Sequence, residues 1–463
     1  MTKPKTVAEL RQSGWRSRSV KQELRDNLID RLRRGAPVFT GIIGFEESVV
    51  PQVENAILSG HDMIFLGERG QAKTRMARLL IELLDAETPV LAGCEVNVDP
   101  FGPICRACRE RLAEVGDRAE VVWLPRDRRY GEKLATPDIT IADLIGEVDP
   151  IKVAEGRYLA DELTIHYGLL PRTNRGIFAI NELPDFAERI QVGLLNIMEE
   201  RDVQIRGYKV RLPLDLYVVA SANPEDYTNR GRIITPLKDR FGSQIRTHYP
   251  RKLADEISIM DAERTRFVDD GFDMVVPDYM KQVVAELTHL ARKATDINQR
   301  SGVSVRVSIA NYENVLSNAQ KRAIRLGERK IAPRLSDLVA VAASTSGKIE
   351  LETLGESGDD KVLGKLVQKS VLNVFNRSFS GGELDEVVKA FQAGLRMEVG
   401  DLMSSGEYVK QLGEIRPLHQ AMKKLGASDP AEIAAGMEFV LEGLHLSKKL
   451  NKDLVGSQSR YRS

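Results

Sequence analysis

His61-Asp-Met-Ile-Phe-Leu-Gly-Glu-Arg-Gly-Gln-Ala-Lys-Thr-Arg-Met-Ala-Arg-Leu-Leu80 decides how the chain is read. Met63 to Leu66 form a short apolar run and Gly67 ends it. From Lys73 onward Met76, Leu79, Leu80, Leu83 and Leu84 recur at helical spacing. The pattern predicts a buried strand that feeds an amphipathic helix through a tight loop. A phosphate-binding loop needs that context. Backbone N–H groups of Gly67, Glu68, Arg69, Gly70, Gln71 and Ala72 converge on a phosphate, the Lys73 ammonium reaches its outer oxygens, and the Thr74 hydroxyl ligates Mg2+. Against the pattern G-x-x-x-x-G-K-S/T one position departs, because Ala72 replaces the second glycine. A methyl is tolerated there if the residue keeps φ below zero. The competing reading is a chance Gly-Lys-Thr loop, and the strand before it and the helix after it weigh against that.

At 463 residues the chain is long enough for two or three domains, each with its own core. Lys+Arg and Asp+Glu are both 67, so net charge is zero, which argues against a strongly nucleic-acid-bound protein. No run approaches the roughly 18 apolar residues of a membrane span, and the polar N-terminus lacks the apolar core of a signal peptide. The expectation is a soluble cytoplasmic protein with no membrane partner. Three cysteines, an odd number, fit a reducing compartment better than a disulfide framework.

Residues 1–35 are charged and read as a leader or docking helix, with Val20, Leu24, Leu28, Ile29 and Leu32 on one face. Gly41-Ile-Ile-Gly44 follows, ahead of a helix carrying Val49, Val53, Ala56 and Ile57. A glycine turn just upstream of a P-loop often lies beside an adenine, and an ordinary turn and cap accounts for it equally well. Residues 86–140 are rich in charge and turn residues and contain Cys94, Cys105 and Cys108. Cys105-Arg-Ala-Cys108 has zinc-knuckle spacing and Cys94 offers a third thiolate. The segment holds no fourth ligand, which favours three ordinary thiols over zinc.

Ile177 to Ile180 form a second buried strand ending in Asn181-Glu182. In a nucleotide hydrolase such a strand end carries an acidic residue that holds Mg2+, directly or through water, and a Glu that polarises the attacking water. Glu182 fits the second role. Asn181 stands where Asp is expected and brings no charge. A third strand, Leu216 to Ser221, ends at Ala222-Asn223-Pro224, where Asn223 can reach the γ-phosphate or the attacking water. Leu237-Lys-Asp-Arg240-Phe-Gly242 and a last strand at 245–249 follow, then a mostly helical remainder with Ser304-Val-Arg306 opening a helix over 305–326. A Gly/Glu/Asp-rich linker at 355–360 precedes a C-terminal helical region.

Taken together and in order, these motifs resemble those of AAA+ ATPases over about residues 36–345, and within them the MoxR and magnesium-chelatase I-subunit branch. That branch is marked by the Ala-Lys of the P-loop, Arg175-Gly176, Asn223-Pro-Glu225 and Asp239-Arg-Phe-Gly242. The resemblance implies an α/β P-loop AAA+ core, a parallel sheet with helices on both faces, over 36–250. It also implies a helical lid over 251–350 and leaves a helical C-terminal region over 351–463. It makes Lys73 and Thr74 the phosphate and Mg2+ ligands, Glu182 the activator of water, and Asn223 the first sensor. Arg240 is then an arginine finger reaching a neighbouring subunit, and Arg306 the second sensor. Asp149–Leu170 and Val203–Leu212 are candidate hairpin insertions. The implied activity is ATP hydrolysis with Mg2+ by a homo-oligomeric ring, by resemblance a hexamer. Such a ring remodels a partner or helps metal or cofactor insertion, acting with a protein that carries a von Willebrand factor A domain. Two other readings stand beside it. A transcription activator of the same core needs a Gly-Ala-Phe-Thr-Gly-Ala loop and a helix-turn-helix, and neither is visible. A nucleotide-gated scaffold with little turnover is kept open by Asn181.

Overall fold

A computed structural model describes residues 3–149, 151, 154, 162–200, 212–223, 231–267, 271–298, 302–349, 356–413, 415–455 and 458–463. The chain divides into two compact units, Met1–His248 and Tyr249–Ser463.

In the first unit, helices α1 (Val7–Gln12), α2 (Val20–Arg33) and α3 (Val50–Leu58) precede strand β1 (Met63–Leu66) and helix α4 (Lys73–Leu79). Then come β2 (Glu87–Leu91), α5 (Arg106–Val115), β3 (Val121–Pro125), β4 (Tyr130–Leu134), β5 (Gly146–Val148), β6 (Ile165–Tyr167), β7 (Gly176–Asn181), β8 (Leu216–Ala222) and β9 (Ser243–Arg246). The main sheet has the order β4-β7-β8-β1-β9 and every pairing is parallel. Its central strands are buried along their whole length, as unbroken apolar runs such as Leu216 to Ala220 require when helices cover both faces. One face packs on α2, α3 and α4 through Leu24, Val53 and Met76. The other packs on Phe186, Ile190 and Leu194 of the segment after β7.

α2 is part of this core: Val20, Leu24 and Leu28 are buried, while Leu32 is 41% exposed. Glu23, on the same helix, is buried too and forms a two-pronged ion pair with buried Arg129, at 2.7 and 2.6 Å. The sequence pattern alone showed the apolar stripe but not this pair. β2 and β3 form an antiparallel pair outside the main sheet, with α5 in the connection between them. β5, just before the first hairpin candidate Asp149–Leu170, pairs antiparallel with β6 near that candidate's C-terminal end, and residues 150, 152–153 and 155–161 between them lie outside the described residues. The second candidate, Val203–Leu212, lies outside them except for Leu212.

The main core of the second unit runs from Met260 and Val283 to Phe439 and Tyr461, so residues before and after 350 bury apolar surface together. Its long helix spans Val305–Leu326, with Ser304 as N-cap. Strands β10 (Asp273–Met274) and β11 (Lys330–Ile331) form a short parallel pair. The C-terminal part is not helical throughout: β12 (Met397–Gly400), β13 (Asn451–Val455) and β14 (Gln458–Arg462) form an antiparallel sheet in the order β12-β14-β13.

Candidate functional site

The loop between β1 and α4 is shaped by close packing. A Cβ on Gly67 would lie 1.9 Å from Thr247 Oγ1 and 2.2 Å from Gln71 Oε1, so only glycine fits. Gln71 is buried and its Oε1 accepts from Glu68 N at 3.1 Å and from Thr247 Oγ1 at 2.6 Å. Its side chain therefore ties the loop to the residue after β9. Gly70 has φ 75° and Ala72 has φ 54° and ψ 16°. The expectation that Ala72 keeps a negative φ is thus corrected: its methyl sits in the left-handed region, at a cost of about 1–2 kcal/mol. Lys73 is 6% exposed, and its Nζ donates to Gly67 O and, at 2.8 Å, to Glu68 O. The ammonium is already drawn in against the loop backbone.

Next to Lys73 a hydrogen-bonded chain crosses three strands. Thr74 Oγ1 donates to Asn181 Oδ1 at 3.2 Å, and Ser221 Oγ approaches the same oxygen at 3.4 Å. Asn181 Nδ2 donates to Glu132 Oε1 at 2.6 Å. The orientation of the amide follows from its neighbours, since an ionised carboxylate only accepts. Glu132 also receives two bonds of 2.7 Å from Arg78 of α4. Hydrogen bonding from Arg78 holds its carboxyl below the usual carboxylate range. Glu132 is the residue that sequence reasoning missed. It lies on β4 inside a stretch read only as charged and turn-rich, and 49 residues separate it from Asn181.

Glu182 follows β7 in the left-handed region, φ 55° and ψ 50°, and its N–H donates to Ser221 Oγ at 3.3 Å. Asn223 is buried just past β8. Gly67, Glu182 and Asn223 thus share the C-terminal edge of the sheet, where open α/β sheets bind ligands. The loop borders a cleft of about 390 Å³ lined by Gly67, Glu68, Gln71, Thr247 and two exposed cations, Lys238 and Arg246. A larger cleft, about 720 Å³, is lined by Arg18, Lys21, Asp99, Arg175 and Asp215 and shares no lining residue with the loop. Arg18 and Lys21 are engaged there by Asp85 and Asp62.

Arg240 is held by Glu199 at 2.6 Å and by Asp239 at 3.5 Å, not by a loop residue. The hydrogen bond that Arg240 donates to Glu199 raises the pKa of its guanidinium above the ordinary value. Arg306 is exposed in the first turn of its helix in the second unit. Cys94, Cys105 and Cys108 are free thiols. Hydrogen bonds from Cys105 and Cys108 hold the Cys94 thiol well below its ordinary range, with the backbone of Val98 and Val96 adding to the effect.

A five-stranded parallel sheet, a strand–loop–helix running into Lys73-Thr74, and polar residues at three strand ends define an α/β core with a P-loop-like turn. No family model matches the chain. The magnesium-chelatase subunit ChlI homolog of Methanocaldococcus jannaschii is 28% identical over 232 residues, which cover 48% of this chain and 58% of that protein. The resemblance to the magnesium-chelatase I-subunit branch is thus seen in a curated relative, over little more than half of that relative's length. Among solved structures, a chain of the BchI–BchD complex of magnesium chelatase is 18% identical at a TM-score of 0.35, covering 70% of this chain and 97% of that one. A putative ATPase of Cytophaga hutchinsonii is 15% identical at 0.33, covering 78% and 98%. NtrX of Brucella abortus with ATP is 13% identical at 0.38, covering 86% and 72%. Similarities this small carry no weight beside the sheet and loop of the chain itself. No described helix is long and apolar enough to cross a membrane.

Proposed function

We propose that the chain binds ATP with Mg2+ on Gly67–Thr74 and hydrolyses it. The observation that carries this reading is the chain Thr74–Asn181–Glu132 lying next to Lys73. A hydroxyl, an amide oxygen and a nearby carboxylate are hard oxygen groups of the kind Mg2+ takes, directly or through the waters it keeps. Bound Mg2+ neutralises charge on the phosphate oxygens. Asn181 brings no charge, and Glu132 supplies a negative one a hydrogen bond away. Glu132 is thereby a positioning residue that orients the Asn181 amide. Lys73 exchanges its bonds to Gly67 and Glu68 carbonyls for phosphate oxygens, Glu182 polarises the attacking water, and Asn223 senses the γ-phosphate. Arg240 and Arg306 act as finger and second sensor.

The protein works, on this reading, as a cytoplasmic homo-oligomeric ring that remodels a partner or assists metal or cofactor insertion. A protein with a von Willebrand factor A domain is the expected partner. Comparing hydrolysis with and without Mg2+ in the wild type, Lys73→Ala and Glu182→Gln tests the core claim. Mg2+-dependent turnover should vanish in both variants, and ATP affinity should fall in Lys73→Ala alone. Unchanged ATP affinity in Lys73→Ala would remove the premise. Proteins retained by Glu182→Gln with ATP bound then identify the partner. The scaffold reading is favoured by the Arg78–Glu132 pair, which offsets the carboxylate charge. Turnover that stays negligible in saturating Mg2+ while ATP binds tightly would select it.

A further inference from the structure

The connection between β2 and β3, which includes α5, carries the three cysteines, and the fold brings their sulfurs together. Cys94 lies in the bend after β2. Cys105 is the N-cap residue of α5 and its hydroxyl-free side chain makes no capping bond, while Cys108 sits in the first turn. N-cap and N3 side chains of one helix end face the same way, so Cys105 and Cys108 point to a common spot. Cys94 Sγ is 3.7 Å from Cys105 Sγ, and all three sulfurs lie within 4.8 Å of one another. Cys105 and Cys108 are buried in the apolar core of the first unit.

We propose that Cys94, Cys105 and Cys108 bind one zinc ion as thiolates, tying the bend after β2 to the start of α5. At a Zn–S distance of about 2.3 Å, tetrahedral geometry puts two sulfurs about 3.8 Å apart, which matches the Cys94–Cys105 separation. A disulfide requires about 2.05 Å, so the pair is not bonded as it stands. An iron–sulfur cluster spreads its cysteines over several irons and does not suit sulfurs packed this closely. Soft thiolates favour zinc over the hard Mg2+ of the loop. Among the described residues no His, Asp or Glu joins the three sulfurs, which leaves the fourth position open to water or another ligand.

Three thiolates and one Zn2+ leave a net negative charge, and a cation packs on the bend that carries Cys94. The Arg111 guanidinium donates to Ala92 O and lies 3.7 Å from where a Cβ on Gly93 would be. The bend itself is sharply wound, with Gly93 at φ 66° and Asn97 at φ 51°. Binding releases the thiol protons to solvent, so occupancy should fall in acid. None of this depends on ATP hydrolysis, and the site can fail without touching that reading.

The test uses the full chain purified under reducing conditions with zinc supplied. Elemental analysis should find about one zinc per chain, resistant to dialysis and released as thiols are modified. Stripped protein titrated with Co2+ should show thiolate-to-cobalt charge transfer saturating at about one equivalent, with strong tetrahedral d–d bands. Cys94→Ser should weaken that absorbance and lower zinc retention at least about tenfold. The wild-type measurements stand even where a variant fails to fold. Less than about 0.2 zinc per chain with all three thiols reacting freely, or a Cys94–Cys105 disulfide as the stable form in reduced buffer, overturns the proposal.

Discussion

Ala72 shows how one residue adjusts the loop. Its backbone is left-handed, φ 54°, where the general pattern has glycine. Ala72→Gly relieves about 1–2 kcal/mol of native strain and costs about 0.4–1 kcal/mol through the freer unfolded chain. Urea denaturation should therefore show a net gain near 0.5–1 kcal/mol, and a loss would mean the methyl packs better than its backbone angle suggests. Asn181 is the second case. Its amide donates to Glu132 Oε1 at 2.6 Å, so Asn181→Asp sets two carboxylates against each other. Without Mg2+ that variant should lose about 1–3 kcal/mol. A divalent cation between the carboxylates removes the repulsion, so its Tm should rise with Mg2+ more than the wild type's does. Equal Mg2+ responses would separate Asn181 and Glu132 from the metal.

At the scale of elements, buried ion pairs decide how helices dock. Glu23 of α2 and Arg129 have side chains 5% and 1% exposed. Removing one partner strands the other charge, so Glu23→Ala should cost about 3–5 kcal/mol, whereas Glu23→Leu with Arg129→Leu should recover much of it. A double-mutant cycle by denaturation measures the coupling, and additive effects would contradict a docking role. In the second unit Glu256 is fully buried and meets Arg292 at 2.8 and 3.0 Å, His289 at 3.4 Å and Ser308. Burial pushes its pKa up, but hydrogen bonds from His289, Arg292 and Ser308 and the Arg292 charge outweigh that and leave it below its ordinary 4.5. A depressed folded pKa means the stabilisation is complete above the unfolded value and is lost as pH falls through the folded one. The stability gap between wild type and Glu256→Gln should be wide near pH 7 and narrow below 4.5. A gap that stays constant in acid would mean that the carboxylate charge contributes nothing.

At the scale of the whole molecule the open question is whether one subunit completes another's site. Arg240 is held within its own chain by Glu199, and both side chains are partly exposed, which leaves the guanidinium free to exchange partners. As a finger it is worth about 10³–10⁵ in rate, against no catalytic effect for a plain surface ion pair. Arg240→Ala should bind ATP normally and lose nearly all hydrolysis. Mixed with inactive Lys73→Ala it should regain part of the activity, because an intact loop in one subunit then meets an intact Arg240 from its neighbour. Normal hydrolysis by Arg240→Ala, or co-assembled mixtures that stay inactive, would show that Arg240 serves only its pair with Glu199.

The sequence by itself determined the elements whose signal is local. The apolar runs read at Met63–Leu66, Ile177–Ile180 and Leu216–Ser221 lie in strands, Met63–Leu66, Gly176–Asn181 and Leu216–Ala222, and Val305–Leu326 is a helix because its apolar spacing and Ser304 cap agree. The loop ending in Lys73-Thr74 was legible for the same reason. Tertiary structure alone decided what depends on distant residues meeting. β4 places Glu132 beside Asn181, Arg129 meets Glu23 across 106 residues, and the connection between β2 and β3 gathers Cys94 with Cys105. The strands β12 to β14, each four or five residues long, become a sheet only by pairing with one another. Periodicity reports which face of an element is apolar, whereas a polar contact is set by strand order and register, and those emerge only when the whole core packs.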